Sequence, residues 1–455
     1  MDVGGQLVVR RFVVVGVVVP ALSVLAAAGP APAAPDAAGR TCRGVAATVV
    51  GTPGDDVLTG TRGADVVVGL RGDDTLVGLA GDDVLCGGGG ADDLAGGHGA
   101  DRLYGGRDAH EERRRRTFVA GDLLEGGPGD DHLSTGLQPR EEGVWVRRSN
   151  TISFRHSAGA VTVDLRARTA VGEGSDVVVR GPSLEVVGSA HDDVLQGSRA
   201  DEVLDGLRGD DHTRGGGGAD VVLDYHGDDE LDGGAGNDMV ISTTGVDTVA
   251  GGDGHDFLIA WSHITTTLLG GAGSDYLSRP ITPGETGVID GGPGENQLEL
   301  TPQLWFADAP SATLDAAAGT SVVTAGDKTQ TTTFTGITAF TLWDGPWTFA
   351  GSEGDDFVQV LWGRLQAQGL GGDDYLLGGE RNDVLDGGDG TDTAWGGEGH
   401  NTCLATEAGS CSGYPWDGTT TRARIVTGDH PQQPDAASPH RLVQRWLSQG
   451  ARLTR

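Results

Sequence analysis

From Gly54 onward an apolar residue recurs at every ninth position: Leu58, Val67, Leu76, Leu85, Leu94 and Leu103. Each follows a Gly by four residues (Gly54, Gly63, Gly72, Gly81, Gly90, Gly99) and precedes another Gly by two. One inward residue bracketed by glycines predicts a strand of a few residues between tight turns, because Gly adopts backbone angles that a side chain forbids. Alternate nine-residue units would then face each other across a thin, flat solenoid, and residues eighteen apart would stack.

The period breaks at an insertion, 106–119, and resumes with Asp122 and Leu124, then Asp131 and Leu133. A second run starts at His191 and keeps register to Gly254, with looser units around Asp275 and Asn296. A third holds the step from Gly354 to Gly399. The pattern divides the chain into a signal peptide (1–34), a first array (42–138), a β capping segment (139–188), a second array (189–299), a second β capping segment (300–352), a third array (353–411) and a disordered tail (412–455). A short helix near Arg441 to Leu447 is the most that tail is expected to form. The two capping segments are richer in Val, Thr and Phe and look alike: AVTVDLRARTAVGEGSDVVVRG in one, SATLDAAAGTSVVTAGDKTQTTTFTG in the other. Each reads as a few short strands.

Charge adds chemistry to this frame. Asp and Glu outnumber Lys and Arg by 66 to 32, a formal charge of −34, which repels nucleic acid and anionic membranes and draws cations. The acidic residues fall in register. The third position of the unit is Asp56, Asp65, Asp74, Asp83, Asp92, Asp101, Asp122 and Asp131 in the first array. It is Asp193, Asp211, Asp220, Asp229, Asp238, Asp247, Asp256 and Asp275 in the second, and Asp356, Asp374, Asp383 and Asp392 in the third. Stacking places such carboxylates about 4.8 Å apart, where they repel unless a cation intervenes. Calcium suits them: it takes six to eight oxygens in irregular geometry, carboxylates and turn carbonyls alike. Magnesium demands a stricter octahedron, and zinc prefers His and Cys, which are not clustered here. With one buried apolar side chain per nine ordered residues, the expectation is folding coupled to several Ca2+ ions, with protons released on binding.

The unit resembles the repeats-in-toxin (RTX) nonapeptide, Gly-Gly-x-Gly-x-Asp-x-apolar-x, and matching stretches include LDGGAGNDMV and VLDGGDGTDT. The stretch TCRGVAATVVGTPGDDVLTGTRGADVVVGL is similar to the start of secreted actinobacterial calcium-binding proteins. The resemblance implies an all-β fold, a right-handed parallel β-roll (β-solenoid) with two nonapeptides per turn. It also implies calcium between successive loops, held by the third-position Asp and by backbone carbonyls. Glu202, Leu365 and Asn401 depart from the metal Asp, and Thr213 from the inward apolar residue, so weak or absent sites are expected there. Thr61 and Leu70 stand where the family has Gly.

Arg10-Arg11, the apolar stretch Phe12 to Ala28 and Ala31-Pro32-Ala33 read as an export signal cleaved near Ala33 or Ala34, with an uncleaved anchor as the alternative. No later stretch approaches the roughly 20 apolar residues of a membrane span, so the protein is expected to be secreted. Cys42 with Cys86 and Cys403 with Cys411 would clip the two ends of the repeat region, the alternative being buried unpaired thiols. His110-Glu111-Glu112-Arg113-Arg114 begins like a zinc-protease helix, but Arg114 stands where a second His is required, and no Gly-x-Ser-x-Gly occurs. The expected function is a non-catalytic, extracellular structural or adhesive module. The alternatives are a calcium-rigidified scaffold for a cell-surface polysaccharide or the repeat tail of a hydrolase; Trp343, Trp347 and Trp362 read as cap and core residues, any exposed one of which could stack on sugars. The basic run Arg113 to Arg116 is either a solvated excursion, a latch on the acidic roll or a processing site.

Overall fold

The computed structural model describes residues 40–410 except 109, 114, 115, 137–144, 149, 180, 182, 183, 262–265, 282–285, 303–310, 326 and 407. The expected export signal, tail and C-terminal helix, and Cys411, lie outside the described residues. Among those residues every regular element is a β-strand, most of them two to six residues long.

Successive strands alternate between two sheets. Sheet I begins with Val57–Thr59, Thr75–Ala80 and Asp93–His98, and sheet II with Val49–Val50, Val66–Arg71 and Val84–Gly89. Within each sheet a strand pairs in parallel with its neighbour eighteen residues on, Leu58 opposite Leu76 and Val67 opposite Leu85. The result is a parallel β-solenoid of about 17 turns. The inward columns that face each other are the ones the nine-residue period marks, and Leu76, Leu85, Leu103, Leu204, Val222, Leu231 and Leu258 are fully buried among them. Thr213 occupies one inward place and is equally buried.

The first insertion leaves the ladders intact. It is extruded as a hairpin, His110–Arg113 against Arg116–Ala120, joined by Trp145–Arg148, while Leu124 stacks on Leu94 and Leu133 on Leu103. His110 to Arg113 is therefore strand, which cannot present the i, i+4 face that a zinc-protease helix needs.

The two look-alike segments share one topology. Each lays a three-stranded antiparallel meander into sheet II: Thr162–Asp164, Thr169–Val171 and Ser175–Val179 in one, Ser311–Asp315, Thr320–Ala325 and Lys328–Thr335 in the other. The outer strands pair in parallel with the turns before and after them. Sheet I passes each meander through Asn150–Ser153 and Leu184–Val187, or Gln297–Pro302 and Ala339–Trp343. Both ladders thus run through the segments that separate the arrays. Around the second meander the aliphatic columns give way to Phe334, Phe340, Trp347 and Phe349, all buried, with Phe340 in ring contact with Phe334 and Phe349.

At the start of the solenoid Cys42 and Cys86 form a disulfide. Cys403, near the other end, is disulfide-bonded as well.

Candidate metal centre

The turn that enters each strand places the third-position residue at the edge of the roll. Asp56, Asp74, Asp92 and Asp122 line the edge that enters sheet I, followed further on by Asp220, Asp238, Asp256 and Asp275, and by Asp356, Asp374 and Asp392. Asp65, Asp83, Asp101 and Asp131 line the edge that enters sheet II, as do Asp193, Asp211, Asp229, Asp247 and Asp383. Neighbours are linked directly. Beyond the first residue of a run, the carboxylates accept, through Oδ1, the backbone N–H of the residue one turn earlier. Asp56 donates to Asp74 at 2.9 Å and Asp74 to Asp92 at 2.9 Å. On the other edge Asp65 donates to Asp83 at 2.7 Å and Asp83 to Asp101 at 2.8 Å. The ladders jump the hairpin and the meander, from Asp92 to Asp122 and from Asp131 to Asp176.

The second oxygen divides the sites into two kinds. At the start of each array a residue four positions earlier satisfies Oδ2: Thr52 for Asp56, Thr61 for Asp65, Ser189 for Asp193 and Ser352 for Asp356, each through its backbone N–H. Ser198 does the same for Glu202. Gly379 donates to Asp383, and the Ser242 hydroxyl donates to Asp247. In Asp74, Asp83, Asp92, Asp101, Asp131, Asp220, Asp238, Asp256, Asp275 and Asp374, Oδ2 is buried and receives no hydrogen bond. It faces the carbonyl of a turn glycine. A Cβ on Gly233 would lie 2.7 Å from both Asp238 Oδ2 and the Gly251 carbonyl oxygen, so glycine is required there because the two oxygens already bound the space.

An oxygen pressed toward carbonyl oxygens without a donor is costly unless a cation or proton joins it. The chain supplies the control. Where Asn296 takes the third position, its Nδ2 donates to the carbonyls of Gly292 (3.0 Å) and Gly336 (2.8 Å). Asn401 donates likewise to the carbonyls of Gly396 (2.8 Å) and Glu398 (3.1 Å). The amide supplies the positive end that a carboxylate lacks, so in the Asp turns that place suits a divalent, oxygen-seeking cation. The donor set of buried carboxylates and turn carbonyls fits calcium. Without metal, burial pushes Asp92, Asp220 and Asp256 up to about 8, with the backbone N–H opposing and neighbouring carboxylates adding to the rise. Burial likewise raises Asp131 to about 7.

The model of one family, the RTX calcium-binding nonapeptide repeat (4 copies), matches residues 50–85, 77–109, 120–138, 187–222, 225–258 and 368–403. The chain carries RTX calcium-binding nonapeptide repeats. No curated protein matches it. The matches stop at 258 and resume at 368, and between these points the edge entering sheet II carries no carboxylate: Thr266, Gly287, Thr332, Ala312, Trp347 and Leu365 take the third position. Buried Arg279 reaches into that edge and donates to the carbonyls of Thr266 and Thr286, occupying the space beside Gly287.

Several parts of the RTX turns lie outside the third-position pattern. Second-position Asp residues form an exposed ladder of opposite sense, in which Asp73 donates to Asp55 and Ala91 to Asp73, both at 2.9 Å. The Gly-Asp-Asp doublets were its visible signal. Asn150 and Asp176 extend the inner ladders but stand outside the nine-residue register. Leu70 and Leu79, at positions where the repeat has Gly, adopt φ of 91° and 86°. Asp224, at a position that is glycine in most repeats, turns inward beside Asp211 and Asp229.

Proposed function

We propose that this calcium-binding repeat protein is secreted and folds its β-roll on binding Ca2+ outside the cell, where it serves as a non-catalytic structural or adhesive module. The twenty third-position Asp residues named above are assigned to metal contact. The turns whose Oδ2 is buried without a donor bind most dependably, and the Ser- or Thr-capped turns least. The observation that carries the reading is that set of donorless oxygens, set beside the asparagine turns in which an N–H fills the same place. Calcium supplies the positive charge between stacked turns; the residues supply the fixed oxygens, the Gly turns that admit them, and the N–H ladder that aims them.

Secretion is supported by the export signal read at Arg10 to Ala33, by the disulfides, which persist in oxidising compartments, and by extracellular calcium being plentiful enough for modest sites. No helix among the described residues is long and apolar enough to cross a membrane.

Far-UV circular dichroism of the mature chain during calcium titration tests the reading, with magnesium as control. A cooperative, calcium-specific gain of strand signal is expected; full strand signal in chelator, unchanged by calcium, would overturn it. A glycan-binding role is the second reading, favoured by Trp362, which is 53% exposed and in edge contact with Trp343. Binding by the calcium form on a glycan array, lost in Trp362→Ala, is its test.

A further inference from the structure

Gly206, Asp224 and Ser242 occupy equivalent places in three successive turns, two residues beyond the stacked inward residues Leu204, Val222 and Val240. Glycine leaves the place open, and Ser242 fills it with a donor that satisfies Asp247. Asp224 fills it with a third acceptor. One oxygen each from Asp211, Asp224 and Asp229 lie within 4.8 Å of one another, and the three side chains are 2%, 1% and 4% exposed. Asp224 Oδ2 and Asp211 Oδ2 receive no hydrogen bond, and both lie within 2.5 Å of the point where a Cβ on Gly206 would stand. Two fully buried oxygens without a donor, aimed at one point with a third carboxylate alongside, repel one another unless a proton or a cation lies between them. Two oxygens bound to one calcium at about 2.3 to 2.6 Å are at most about 5 Å apart, so one ion could contact all three.

We propose that Asp224 converts this turn into a three-carboxylate calcium site, richer in charge than the other turns and the first to fill as calcium rises. The inference rests on the reading of the repeats as calcium sites and adds a residue from outside the third-position ladder. A negative side chain in place of a repeat glycine raises the ligand charge, and affinity follows ligand charge and rigidity.

Isothermal titration of the full mature chain with calcium, combined with chelator competition, tests it on the wild type, Asp224→Ser and Asp224→Gly. The wild type is expected to resolve one site at least about tenfold tighter than the rest. Both variants lose that site and keep the others, and circular dichroism in saturating calcium shows whether they fold. Absence of any tighter site in the wild type, or its persistence in either folded variant, overturns the role of Asp224 while leaving the general reading intact. Absence of calcium binding in wild type and variants alike overturns the general reading itself.

Discussion

Between Asp193 and Asp247 the edge entering sheet II carries a buried carboxylate in every turn, whereas its continuation from Thr266 to Leu365 carries none. The backbone ladder is the same on both sides of that boundary. What changes is the source of positive charge and of buried surface. The acidic turns have aliphatic columns and, at Asp211 on this edge and at Asp220 and Asp238 on the other, a buried carboxylate oxygen that lacks a donor. The later turns have Arg279 bonded to turn carbonyls, Gln297 and Gln359 donating to Thr341 at 2.7 Å each, and a cluster of buried Phe and Trp. If calcium fills the donorless turns as proposed, the first stretch depends on an ion from outside, whereas the edge from Thr266 to Leu365 carries its donors and its core in the chain.

Chelation should break the molecule along this line. Hydrogen exchange read by mass spectrometry is expected to show loss of protection across 211–258 in chelator, while 286–302 and 328–350 stay protected; uniform loss would dissolve the comparison. Phe340→Ala should cost about 3 to 5 kcal/mol, seen in chelator as loss of the protected remnant and in calcium as a lowered melting temperature. Asp256→Asn transplants the Asn296 arrangement into an acidic turn. It should stabilise the metal-free protein by about 1 to 3 kcal/mol and lower the calcium-bound melting temperature, a reversal of sign that simple loss of packing would not produce.

Proton linkage sharpens the same contrast. In the metal-free roll Asp92, Asp220 and Asp256 are raised from 3.8 to about 8, so the folded state binds more protons than the unfolded one between these values. Metal-free stability is then fullest below about pH 4 and falls as pH rises through about 8. Circular dichroism of calcium-stripped protein should show strand signal growing as pH drops from 8 to 5, and calcium binding at pH 7 should release protons measurable by titration in buffers of different ionisation heat. The smallest expected effect is local: Leu79→Gly relieves a left-handed residue, φ 86°, and should raise the melting temperature by an amount equivalent to about 1 kcal/mol, equally with and without calcium.

Much of this was legible in the sequence. The nine-residue step gave the inward columns, the eighteen-residue stacking and the edges on which the Asp residues stand, and the likeness of the two intervening segments reappears as a shared meander. Other features were not. That Thr61 caps Asp65 while Leu70 leaves Asp74 without a donor depends on which backbone and hydroxyl groups reach a carboxylate, and composition does not reveal that. Arg279 carries no repeat signature, and its role exists only because an inward place on sheet I faces the turn at Gly287.

Periodicity by itself determined that the arrays form a thin solenoid in which residues eighteen apart stack and most turns carry a carboxylate, because a strict repeat of turn glycines and single inward residues has one economical way to bury its apolar side. Only the tertiary structure decided which carboxylates are satisfied, which lack a donor and where the ladder changes to asparagine, arginine and aromatic packing. Those outcomes hinge on contacts within a turn, such as Thr61 on Asp65, together with contacts between stacked turns eighteen to forty-five positions apart, and both are fixed only once neighbouring turns are stacked.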